Sequence, residues 1–348
     1  MATEPATVAS AGGTGFEDVA EREHAVGVGP WKLAARRLRR NKVALAAAAL
    51  FIVLVALALA APIWAHDVAH TNISANHLTE TLTEGKKSVD VVALNGIPIG
   101  PQWFAAGGKF FLGADGNGRD IMVRLLYGAR TSLEIGILAA AITTILAVIL
   151  SLLAGYMRGA TDTVISRIMD VLWAFPVVIL GVALGTALSI GGLKLGPLTI
   201  KSGSLAIPIL IIGFVYVPYM ARPLRGQVLS LREKEFIEAA RAQGMGSIRI
   251  MFTEIMPNLA STIVVFIPLA IANAILLEAY LSFLGAGVQA PTPSWGEMIS
   301  EGIDRITTAP HLTIVPGVML VLTVLALNIF GDGVRDALDP RLKVRIEL

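Results

Sequence analysis

Long apolar runs alternate with polar segments along this chain. A helix that crosses a bilayer needs roughly 20 mostly apolar residues, and runs of that length lie near 43–64, 132–155, 164–188, 205–222, 259–284 and 312–331. The pattern predicts an all-α membrane protein with six transmembrane helices. Two of the intervening polar segments are long: 65–131, after the first run, and 223–258, between the fourth and fifth.

Composition agrees with the pattern. The chain has 348 residues, of which 55% are hydrophobic and 16% charged, whereas soluble domains carry ~25% charged residues. Cysteine is absent, which excludes a disulfide framework, a Cys-based metal site and a thiol nucleophile. The formal charge of +2 is too small to imply nucleic acid, but the cations are clustered. Arg36-Arg37-Leu38-Arg39-Arg40-Asn41-Lys42 forms a basic collar before the first run. The polar lead of about 42 residues exceeds the 15–30 residues of a secretory signal, so the first helix is read as retained. Further cations stand at Arg222, Arg225, Arg232, Lys234, Arg241 and Arg249, and at Arg335, Arg341, Lys343 and Arg345. The loops near 189–204 and 285–311 hold only Lys194, Lys201 and Arg305. Because cytoplasmic loops accumulate Lys and Arg, both termini are expected in the cytoplasm.

The flanking segments carry less information. Residues 1–30 read as a disordered tail. In the 65–112 segment, Val91 to Ile99 reads as a hairpin turning at Asn95-Gly96, a pair suited to two positive-φ positions. Asp115, Asn117 and Asp120 superficially suggest a calcium loop, but the full ligand spacing and the closing Glu are missing. Asp120 is expected to start a short helix whose Met122, Leu125 and Leu126 face the membrane surface, with Arg119 and Asp120 pairing with neighbouring polar groups. Catalytic motifs fail on chemistry: there is no G-x-x-x-x-G-K-[ST] sequence, no G-x-S-x-G elbow, and no zinc-type pairing of histidines within a span.

The 223–258 segment is more specific. Ser230 to Gln243 are strong helix formers without Gly or Pro. Lys234, Glu238 and Arg241 are spaced to pair along a solvated face, with Phe236, Ala239 and Ala240 on the other side. Gly244 suits the left-handed position that ends a helix. Ser247 is placed to cap a second helix, whose Ile248, Met251, Phe252 and Ile255 form one stripe. Pro257 can then open the fifth span. By periodicity alone, these could be two amphipathic helices bracing the bundle at the membrane surface.

The spacing of Glu238, Ala239, Ala240, Gly244 and Pro257 resembles the "EAA" loop of ABC-importer permeases. The resemblance extends from about Trp31 to Arg341. It takes in Leu112-Gly113-Ala114-Asp115 leading to Gly118-Arg119-Asp120, Arg124 to Leu133, Leu281-Ser282-Phe283-Leu284-Gly285, Ser294-Trp295-Gly296, and Asn328 to Arg341. These resemble the second permease subunit of dipeptide and oligopeptide importers. The chain departs from the family's "HPLGTD" segment at Phe110 to Asp115, which bears on the outer face where a solute-binding partner docks.

The resemblance implies a type I ABC-importer transmembrane domain in a bacterial inner membrane. It divides the chain into a basic collar and first helix (31–64), an extracytoplasmic loop (65–131), a five-helix permease core (132–331) with a cytoplasmic coupling loop (223–258), and a tail (332–348). It further implies a homologous permease partner, two ATPase subunits that bind the ATP and Mg, an extracellular solute-binding protein and a peptide substrate, with no cofactor in this chain itself. Nickel chelates and glutathione are alternative solutes. Polar residues within spans cost ~2.5–3.5 kcal/mol when charged and face protein or water, so Asn273, Glu278 and Asn328 are candidates for the translocation path. The rival reading is a stand-alone secondary carrier driven by an ion gradient through Glu278. No internal repeat of the kind such carriers often show is evident.

Overall fold

Every apolar run forms helix in the computed structural model, which describes residues 30–84, 87–103 and 108–339. The tail over 1–29 and the residues from Pro340 onward lie outside the described residues. Helix α1 (Pro30–Arg40) carries the collar and α2 (Lys42–Leu59) the first run. The Asn41 side chain accepts from Ala44 N–H at 3.0 Å, capping α2. There follow α3 (Ile121–Met157), α4 (Gly159–Trp173), α5 (Val177–Gly191), α6 (Ala206–Val215), α7 (Val217–Arg232), α8 (Glu235–Ala242), α9 (Met256–Phe283), α10 (Trp295–Ile303) and α11 (His311–Leu338). Among the described residues, five helical runs are long and apolar enough to cross a membrane, α6 and α7 counting as one, and the pair α4–α5 supplies a sixth if taken together.

That pair occupies the run expected near 164–188, as two helices and not one. The two helices meet at 86°, at a break next to Pro176. Proline has no N–H to donate and disfavours helical backbone at the residue before it, so the chain turns there. A second difference concerns Asp120. It caps no short helix; its carboxylate accepts from Val123 N–H at 3.1 Å and starts the 37-residue α3, well before the expected 132. Leu125 and Leu126 are buried, not turned to the membrane surface.

Close approaches set the helix packing. Gly155 of α3 lies against Val228 of α7, and Gly333 of α11 against Ala44 of α2; a side chain at either site would hold the helices apart. In the 65–120 segment, β1 (Thr81–Glu84) and β2 (Lys87–Asp90) pair antiparallel. The expected turn at Asn95-Gly96 forms with different geometry. Gly96 alone has positive φ, its N–H bonds Ala93 O, and Ala93 N–H bonds Ile97 O. This is the three-residue loop with glycine in the left-handed position.

Residues far apart in sequence fix α10 to the start of α3. Arg124, 1% exposed, donates through Nη2 to Glu297 (2.9 Å) and to Glu301 (2.7 Å). Arg119 pairs with Asp115 at 2.6 Å and with Glu301 at 2.8 Å, which meets the expectation that it finds polar partners. Asp115 also accepts from Asn117 N–H and Arg119 N–H. Its oxygens are thus committed to the turn, as an Asx motif commits them. Burial, aided by neighbouring Glu301, pushes the Glu297 carboxyl up to about 7 against the pull of Arg124. Burial also opposes charge on Glu301, but Arg124 and Arg119 outweigh it and hold that group below the usual carboxylate range.

Two outcomes follow for thermal unfolding in detergent. Removing one partner of a buried pair leaves the others uncompensated, so Arg124→Leu is expected to destabilise the fold by about 3–5 kcal/mol and to lower the unfolding midpoint. Glu297 binds its proton more tightly folded than unfolded. Its contribution is therefore full below its ordinary value of 4.5 and lost as pH rises through about 7. Glu301 has the opposite sign, its contribution being lost on the acid side. The midpoint should fall between about pH 5.5 and about pH 8.5, and Glu297→Gln should flatten that decline.

Candidate functional site: a docked loop and a membrane recess

The 223–258 segment folds as several short helical pieces, of which α8 has one face buried. The expected continuous helix over Ser230–Gln243 is interrupted: α7 ends at Arg232, Lys234 adopts extended backbone, and α8 starts at Glu235. Ile237 and Ala240 are buried in one cluster with Leu152 and Tyr156 of α3, Leu224 and Val228 of α7, and Leu259 of α9. Glu238, Ala239 and Phe236 are exposed. Ala240 therefore faces inward, while the other two members of the expected small-residue surface, Phe236 and Ala239, face out. The pairs anticipated among Lys234, Glu238 and Arg241 do not form among the described residues. The Arg241 guanidinium instead lies 5.4 Å from the centre of the Tyr156 ring.

Gly244 ends α8 as expected. Its φ is +77°, its N–H bonds Arg241 O at 2.9 Å, and Met245 N–H bonds Ala240 O at 3.1 Å. This pair of bonds is a Schellman closure. The helix after it differs from expectation. Ser247 makes no capping bond, the preceding residue Gly246 occupying the cap position. Met251–Ile255 form a π turn that runs into α9, with Pro257 in its first turn. The buried stripe is Ile250, Met251, Ile255 and Leu259, whereas Ile248 and Phe252 are 68% and 56% exposed. Phe236 on α8, and Ile248 and Phe252 after it, are thus apolar and exposed. Salt bridges from Arg225 to Asp162 and from Arg222 to Asp170 tie α7 to α4 behind this loop.

The three polar candidates within spans are not brought together. Glu278 is fully enclosed: its carboxylate accepts from Ser132 Oγ at 2.9 Å and Ser282 Oγ at 2.7 Å. That is a packing role between α3 and α9, not a position on an open path. Asn328 is half-buried on α11. Asn273 alone lines a recess, of about 220 Å³, together with Thr143, Tyr216, Tyr219, Met220 and Phe266. Sequence reasoning missed the tyrosines because an aromatic in a span reads as ordinary packing. Their one local signal was Pro218, just after the point where α6 gives way to α7. Among the described residues no group of three or more His, Asp or Glu is arranged to hold a metal ion.

Comparison with known proteins agrees with this architecture. Residues 147–344 match the family model described as a binding-protein-dependent transport system inner membrane component. Residues 29–79 match the N-terminal transmembrane domain of oligopeptide transport permease C. The chain is 38% identical to a dipeptide transport system permease protein of Alkalihalophilus pseudofirmus, over 91% of each chain. It is 36% identical to a glutathione transport system permease protein of Pectobacterium atrosepticum, over 90% of this chain and 92% of that one. It is 35% identical to a putative peptide transport system permease protein of Brucella suis biovar 1, over 92% and 95%. Among solved structures, the inward-facing MetNI methionine ABC transporter has the same fold, with a TM-score of 0.50 at 19% identity over 62% of this chain and 97% of that one. This chain belongs to the family of inner membrane components of binding-protein-dependent transport systems, as a multi-pass permease subunit of the ABC-importer type.

Proposed function

We propose that this chain is one of two permease subunits of an ATP-driven importer of dipeptides or oligopeptides, with α8 as the element through which two ATPase subunits drive it. The observation that carries the reading is the two-sided construction of α8. Its inner face, Ile237 and Ala240, is buried in a core cluster to which α3, α7 and α9 also contribute. Its outer face presents Glu238, Ala239 and Phe236, and its end is closed by a positive-φ glycine. A partner that grips the outer face and differs between its own two states biases the bundle through the inner face; a partner contacting both states alike shifts nothing.

In this reading Glu238, Ala239, Ala240, Gly244 and Pro257 build the coupling element, and ATP and Mg are held by the partner ATPases. The clustered cations of α1, the 223–258 loop and the tail support cytoplasmic termini in a bacterial inner membrane. An extracytoplasmic binding protein delivers solute to the opposite face. Short peptides are the preferred solute because two of the relatives named above are permeases of dipeptide or peptide systems. Glutathione is the second reading, since a permease of that system is nearly as similar.

The coupling role is tested in proteoliposomes holding the complete transporter. Proline at 244 cannot adopt the φ of +77° and removes the N–H that bonds Arg241 O. Gly244→Pro should therefore leave membrane insertion unchanged and separate ATP hydrolysis from peptide uptake, with uptake down by about tenfold or more, which is about 1.4 kcal/mol of coupling. Glu238→Lys should act in the same direction without altering the fold, its side chain being exposed. Undiminished uptake by Gly244→Pro would rule the role out.

A further inference from the structure

We infer that the recess at Tyr216, Tyr219 and Asn273 is a solute-contacting station on the translocation path, built to receive uncharged amide groups of a passing peptide; the inference rests on the importer reading above and specifies its chemistry. Three observations carry it. The first is depth. Asn273 lies well inside α9, and Tyr216 lies at the junction of α6 and α7 within the Ala206–Arg232 span. The second is free hydrogen-bonding capacity. Among the described residues, the side chains of Asn273, Tyr216 and Tyr219 make no hydrogen bond to the rest of the chain, while Thr143 Oγ1 is committed to Gly213 O at 2.9 Å. Polar side chains at such depth face water or a partner, because lipid offers them none. An amide and two phenols supply donors and acceptors together, which suits a peptide bond.

The third observation is electrical. No ionisable carboxylate or cation lines the recess, so it offers nothing to hold a metal ion or a charged terminus. Its aromatic wall is held in place. Tyr219 stacks on Trp173 with ring centres 4.3 Å apart and a 24° interplanar angle. Tyr216 meets Tyr219 edge-on at 5.5 Å, and Arg222 covers the Trp173 ring at 4.4 Å while pairing with Asp170. Trp173 is the last residue of α4, at the 86° bend. The wall is thereby anchored to the bent span, and its phenols need not be ordered when a solute arrives.

The chain has no native cysteine, so thiol labelling of its band reports only an introduced residue. In membranes carrying the complete transporter, Asn273→Cys should react with a small charged, membrane-impermeant methanethiosulfonate, and saturating dialanine should slow the reaction severalfold. Ala274→Cys, 1% exposed beside it, should stay unreactive. Tyr216→Phe keeps the ring and removes one hydroxyl. It should lower kcat/KM for dialanine uptake by about threefold to tenfold at equal membrane level, the range of one hydrogen bond. An Asn273→Cys chain that does not react from water, or that reacts at the same rate with dialanine present while dialanine is imported, overturns the inference and leaves the importer reading standing. Absence of ATP-driven dialanine uptake by the unaltered transporter counts against the peptide reading itself, and this inference falls with it.

Discussion

The burial of Ile237 and Ala240 among Tyr156, Leu224, Val228, Ile255 and Leu259 is the interaction on which the rest of the machinery depends. A surface helix of eight residues is far below the length at which an isolated helix is stable in water. It exists because its inner face completes a core shared by α3, α7 and α9. The same contact makes it mechanically useful. Packed interiors are dense and poorly compressible, so displacement of α8 displaces the ends of the helices beneath it. The Schellman closure at Gly244 lets the chain reverse directly after the helix, so the exposed face ends cleanly beside Ile248 and Phe252.

The opposite end of the bundle adds charge pairing to an apolar cluster of Ile121, Leu125, Trp295 and Met298. Arg124 lies at the start of α3 and holds Glu297 and Glu301 of α10, while Glu278 lower down engages Ser132 and Ser282. The first joins α3 to α10 beyond α9, and the second joins α3 to α9 itself. The long α3 is thus gripped near each end, by arginine and carboxylates above and by the α8 cluster below. The bent pair α4–α5 is joined to α7 by Arg222–Asp170 and Arg225–Asp162.

How much of this was legible in the sequence follows the range of each interaction. Gly244 and Pro257 were readable because their roles are set by their own backbone: a left-handed φ and a missing N–H. The span count was readable because hydropathy reports length. Direction is another matter. Pro176 disfavours an unbroken helix, but nothing local says that the chain turns by 86° there. The stripe after Ser247 was misassigned for a definite reason. A π turn over Met251–Ile255 has more residues per turn than the α-helix, so the 3.6-residue period moves out of register, and Ile250 and Leu259 replace Ile248 and Phe252 at the core. Arg124 with Glu297 was illegible because the partners stand 173 positions apart, and no local pattern joins them.

The fates of Asn273 and Glu278 show why polarity within a span does not by itself mark a path. Both sit on α9, five positions apart, and at 3.6 residues per turn that separation rotates them by about 140° around the helix. Glu278 points into the contact with α3, where two serine hydroxyls satisfy it and no solute can reach. Asn273 points toward the gap beside Tyr216, with its amide unengaged. A buried carboxyl without partners would be costlier than an unpartnered amide, and the carboxyl of Glu278 is the group enclosed and bonded, while the amide of Asn273 is left open. A recess of neutral hydrogen-bonding groups has a further consequence for selectivity. It distinguishes peptides poorly by the charge of their side chains or termini, because its lining carries no counter-charge. Discrimination by charge then has to occur before the solute reaches this depth, at the extracytoplasmic face or on the protein that delivers it.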